Sequence, residues 1–114
     1  MIRCKDSVRF SKLRREVWRT FPIIEETFKY YEIVPTITCG TEAHGQDDPH
    51  TNGYALDVRS KNLPDIDTKR IILNELIQSL GPDYTVLLEN EGKYNEHFHI
   101  QIKKGLWRTL LSGS

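Results

Sequence analysis

The sequence predicts an α+β domain: a small, mainly antiparallel sheet with helices packed on one face and metal-ligating side chains on the other. Three observations carry this. Tyr54–Arg59 and His97–Ile102 alternate with period two, so polar residues share one strand face and apolar residues the other. Two other stretches carry apolar residues at helical spacing. Three of the four histidines fall at or beside the alternating strands. A chain of 114 residues suffices for one domain, 1–114, and not for two.

The elements follow in order. From about Ser11 to Tyr31, Leu13, Val17, Phe21, Ile24 and Phe28 repeat at helical spacing, and Pro22 interrupts them. Two helices or one kinked helix are expected, with the aromatics in the core. Pro35–Cys39 is rich in β-branched residues and reads as a strand. From Gly40 to Asn52 the composition turns to Gly, Asp, Gln, Pro and Thr, a long loop that delivers His44 and His50. Tyr54–Arg59 is the next strand, with Ala55, Asp57 and Arg59 on one face. Asp65 or Asp67 caps a helix running to about Leu80, its apolar face made by Ile71, Ile72, Leu76, Ile77 and Leu80. Gly81-Pro82 stops it. Tyr84–Glu89 and His97–Ile102 are the last strands, joined by a polar turn with Gly92. In the final strand His97, His99 and Gln101 look one way while Phe98, Ile100 and Ile102 enter the core. Leu106–Leu111 is expected as a short packing helix.

Charge and cysteine content exclude several classes. Lysine plus arginine equals aspartate plus glutamate, 16 each, so there is no electrostatic footprint for nucleic acid or an anionic membrane. No stretch is long and apolar enough to span a bilayer. Cys4 and Cys39 form no CxxC pair, which excludes a four-cysteine zinc finger; two buried thiols are expected rather than a disulfide. No apolar run follows the charged N-terminus, so a secretory signal is not expected. The expectation is a monomer made and kept in the cytoplasm unless another factor releases it.

The chemistry concentrates in His50-Thr51-Asn52-Gly53-Tyr54-Ala55-Leu56-Asp57 and Glu96-His97-Phe98-His99. His50, Asp57 and His99 read as the protein ligands of one divalent metal, zinc in the first instance. Two imidazoles and a carboxylate leave a fourth tetrahedral position for water, as hydrolytic zinc sites require. Each histidine should donate its other ring N–H to a carbonyl or carboxylate, fixing the tautomer. Glu96, three residues before His99, is the expected proton acceptor, with Glu89 as its rival. A similar donor set holds iron in some oxygenases, but the HxxxxxxD spacing is unlike theirs. A pairing of Asp57 with Arg59, on the same strand face, is the ordinary structural alternative.

The HxxGxAxD pattern at His50, Gly53, Ala55 and Asp57, followed by HxH at His97 and His99, resembles the LAS metallopeptidases. That group takes in lysostaphin-type enzymes, D-Ala-D-Ala peptidases and the hedgehog signalling domain. The resemblance runs from about Thr36 to Ile102 and is nearest the D-Ala-D-Ala carboxypeptidase branch, with its small phage peptidoglycan endopeptidases. It implies the hedgehog/DD-peptidase fold, Zn2+ as cofactor, and hydrolysis of peptidoglycan stem or cross-bridge peptides. It also implies Glu96 as the residue that activates water, by its ExxH spacing, and His97 as a group that stabilises the tetrahedral intermediate. A phage or prophage origin follows from the resemblance alone. Relatives often place serine where Asp48 stands, and an arginine upstream that segment 37–48 lacks. His44 and Arg59 are the cationic candidates for substrate binding in its stead, which favours an endopeptidase. Hedgehog supplies the alternative, a binding module that keeps its zinc without catalysis.

Overall fold

The computed structural model describes residues 1–42, 45 and 48–106. The chain runs β1 (Arg3–Cys4), α1 (Arg15–Trp18), α2 (Thr20–Lys29), β2 (Thr36–Cys39), β3 (Ala55–Arg59), α3 (Ile66–Leu80), β4 (Tyr84–Glu89) and β5 (His97–Ile102). This is an α+β fold with a five-stranded sheet in the order β1-β2-β3-β5-β4. β1 pairs parallel with β2, and every other neighbour is antiparallel.

Register explains why one face is a core and the other a site. Leu56 pairs with Ile100, which pairs with Val86 on its other side; Val58, Phe98 and Leu88 form the next row. Cross-strand partners share a face, and these rows build the core, with Leu56, Val58 and Phe98 fully buried. The alternate rows are Asp57–His99–Leu87 and Arg59–His97–Glu89. They lie on the opposite face by the pleat alone.

Helices cover the apolar face. Val17, Ile24, Phe28, Ile72 and Leu76 join the strand residues in one cluster. Phe28 meets Phe98 edge-on, with ring centroids 6.2 Å apart. The break between α1 and α2 falls at Arg19, three residues before Pro22. Pro22 has no N–H for the Trp18 carbonyl, so it sits in the first turn of the new helix, where that donor is not needed. The buried Thr20 hydroxyl donates to the Val17 carbonyl at 2.6 Å and closes the junction. Asp65 caps α3 by accepting from the Thr68 N–H at 2.7 Å. The buried face of α3 centres on Ile72 and Leu76, backed by Leu73 and Leu80. Ile71 and Ile77, expected on that face, are 48% and 43% exposed. The packed stripe is narrower than the run of isoleucines.

Two further features depart from expectation. β1 had no signal in the sequence; two residues are too few to show a period. Cys4 is exposed, whereas Cys39 is buried. Gly53 turns the chain into β3, its N–H donating to the His50 carbonyl at 3.0 Å. Its φ is +80°, and a Cβ there would collide with the Lys12 carbonyl oxygen, so backbone crowding enforces the glycine. The expected helix beyond Leu106 lies outside the described residues. Among the described residues no helix is long and apolar enough to cross a membrane.

Candidate metal centre

Asp57 is the hub of the polar face. Its Oδ1 lies 3.2 Å from His50 Nε2 and 3.0 Å from His99 Nδ1, and its Oδ2 lies 3.5 Å from His97 Nε2. The register of β3 on β5 supplies Asp57 opposite His99. The loop supplies His50, fixed where Asp48 Oδ1 accepts its backbone N–H at 2.8 Å. His50, Asp57 and His99 are all buried, at 6%, 9% and 9% exposure. The fourth histidine, His44, lies outside the described residues.

The far nitrogens decide what the near ones can do. His50 Nδ1 lies 3.1 Å from the Gly40 carbonyl oxygen, which can only accept, so Nδ1 carries the hydrogen. His99 Nε2 lies 2.8 Å from Gln101 Oε1, so Nε2 carries the hydrogen there. In the neutral rings, His50 Nε2 and His99 Nδ1 then turn lone pairs toward the same carboxylate oxygen. Two lone pairs at about 3 Å repel, so each contact needs either a proton on the near nitrogen or a cation between the atoms. Donors held at 2.0–2.1 Å around a tetrahedral zinc would stand about 3.3 Å apart, close to the observed 3.0 and 3.2 Å. Asp57 is thus shared by two groups whose donor atoms could hold a metal, one with His50 and Cys39 and one with His99, His97 and Glu89.

Electrostatics run the same way. Burial works against ionised Asp57, but hydrogen bonds with His50 and His99 outweigh it and hold the carboxyl at about 2. Burial likewise works against charged imidazoles. Asp57, helped by Gln101, overcomes it and pushes His99 up to about 8. His50 is raised as well, burial being outweighed by Asp57. The cluster favours positive charge at its centre.

Glu89 belongs to this cluster. Its Oε1 lies 3.0 Å from His97 Nε2 and 3.6 Å from His99 Nδ1, and its side chain is 42% exposed. Donor atoms of Asp57, Glu89, His97 and His99 all lie within 4.8 Å of one another, and so do those of Cys39, His50 and Asp57. His97 Nδ1 is held on the Asn95 carbonyl at 2.7 Å, leaving Nε2 toward the carboxylates.

Glu96 stands elsewhere, a correction to the expectation that it accepts the proton. It lies just before β5, and its carboxylate is held by residues outside the cluster. Ser60 Oγ donates to its Oε1 at 2.6 Å, Lys69 Nζ meets the same oxygen at 2.6 Å, and the Gly92 N–H donates to Oε2 at 2.8 Å. Burial alone would raise its pKa. The Gly92 N–H, Lys69 and Ser60 outweigh burial and bring it down to about 2. Although it borders the cleft beside the site, both its oxygens are engaged, and a carboxylate so stabilised is a poor base. Neither Ser60 nor Lys69 stood out in the sequence.

The cleft measures about 820 Å³ and runs from Asp57 and His97 past Arg59, Lys61, Lys5 and Tyr94. Arg59 is exposed and lines it, while the oxygens of Asp57 meet histidines. Fold and site together define an α+β protein whose buried histidine–aspartate cluster could hold a divalent metal. No family model, curated protein or solved structure matches the chain.

Proposed function

We propose that the chain is a zinc-dependent peptidase of the hedgehog/DD-peptidase fold, with His50, Asp57 and His99 as the metal ligands and peptidoglycan peptides as substrate. The observation that carries this reading is the convergence of His50 Nε2 and His99 Nδ1 on one buried Asp57 oxygen, each far ring nitrogen held by an acceptor. The order of the HxxGxAxD and HxH patterns and the adjoining cleft support the substrate class. Bound there, the metal would polarise the scissile carbonyl and acidify water beside it.

The chain's own residues do the rest. Glu89 takes the place first given to Glu96: it reaches both solvent and the cluster, and its Oε1 accepts a proton from the attacking water. His97 Nε2, 3.0 Å from that oxygen, can take the proton on from it. Arg59 and Lys61 face the substrate's carbonyl or carboxylate groups from the cleft wall.

Metal analysis paired with digestion of purified peptidoglycan tests the reading. Wild type should hold about one zinc and release peptide fragments. Glu89→Gln should keep its zinc and slow release by about 10²–10⁴-fold; Glu96→Gln should release fragments like wild type. Zinc without cleavage by wild type would favour the non-catalytic binding module instead. A chain that retains no metal sinks the proposal.

A further inference from the structure

The irregular register between β2 and β3 re-aims one side chain. Ile37 pairs with Val58, and both are fully buried in the core. In an unbroken antiparallel ladder Cys39, two residues on, would pair with Leu56 and enter the same core. It pairs with Asp57 instead. Thr38 is thus the extra residue of a bulge, and bulges commonly redirect side chains beside functional sites. The result puts Cys39 on the metal face. Its Sγ lies within 4.8 Å of the ligand atoms of His50 and Asp57. The Gly40 carbonyl that orients His50 at 3.1 Å also takes the Cys39 S–H, at 3.9 Å.

We infer that Cys39 is a further metal donor, able to hold a thiophilic divalent ion together with His50 and Asp57. This rests on the metal reading proposed above. These three protein donors leave one tetrahedral position, and a fourth protein donor entering it would close the set as in structural sites. The sulfur gives up its proton to solvent as its bond to the ion forms, and no oxidant or reductant is involved. Engaged, the sulfur competes with substrate for one coordination position; withdrawn to Gly40, it leaves that position open. Soft metals favour the engaged form.

Cobalt(II) is the probe, loaded into the full chain under reducing conditions. Wild type should show the visible bands of tetrahedral cobalt and, in the near ultraviolet, a sulfur-to-cobalt charge-transfer band. Cys4→Ser should keep both. Because the chain has two cysteines, a band retained in Cys4→Ser assigns the sulfur to Cys39 even if a Cys39 variant misfolds. Cys39→Ser should lose the near-ultraviolet band and keep the visible ones. Bound cobalt with no charge-transfer band, or a band lost only in Cys4→Ser, overturns the inference and leaves the metal reading standing. No bound cobalt in wild type, shown by metal content, overturns both.

Discussion

Replacing Glu96 by glutamine separates a structural carboxylate from a catalytic one. The carboxyl is 5% exposed and accepts from Ser60, Gly92 and Lys69. Its fall from the ordinary 4.5 to about 2 sets a ceiling of about 3 kcal/mol. Lys69 keeps 16% of its side chain in solvent, so screening lowers the expected value to about 2 kcal/mol. In a domain of this size that is a fall in Tm of about 8 °C. The sign follows from the direction. A folded-state pKa below the unfolded one gives stability that is complete above about pH 4.5 and lost as pH falls toward 2. Urea unfolding of wild type and Glu96→Gln should therefore differ most at neutral pH and converge as the medium is acidified. Peptide release at a temperature where both are folded should be equal. A Glu96→Gln protein as stable as wild type but unable to hydrolyse would refute the reasoning and return Glu96 to the chemistry.

Three other outcomes follow from the described geometry. Gly53→Ala forces φ +80° on an alanine against the Lys12 carbonyl and should cost about 2–3 kcal/mol in chemical denaturation. Zinc at about a hundred times its Kd should stabilise the chain by roughly 2.7 kcal/mol; calorimetry should show Tm fall back on adding a chelator, with no zinc response in Asp57→Asn. Asp65→Ala removes the cap from Thr68 and should cost about 1 kcal/mol while leaving peptide release unchanged.

Period-two logic made the strands legible. β4 and β5 have the bounds the alternation predicts, because one face of each meets helices and the other does not. Glu96 lies just outside β5, and what engages it, Ser60, Lys69 and the Gly92 N–H, is not marked by the ExxH spacing. Glu89 required the β4–β5 register, which sets it beside His97 and which no single strand encodes. The position of Cys39 was not legible at all. Nothing in Pro35-Thr36-Ile37-Thr38-Cys39 marks a bulge, and without it the cysteine reads as core. Ile71 and Ile77 misled for a different reason: apolar side chains are tolerated on a helix's outer face, so composition overstates the packed stripe.

Asp57 and His99 are separated by 42 residues and meet only through the β3–β5 ladder. A peptide carrying either motif alone has no such meeting place, so ion affinity belongs to the assembled sheet. Closing a segment of that length costs entropy before any contact repays it. The cluster therefore forms only once that ladder has paired. An ion captured that late leaves the rate of folding nearly as it was and acts on the reverse reaction, lengthening the lifetime of the native chain.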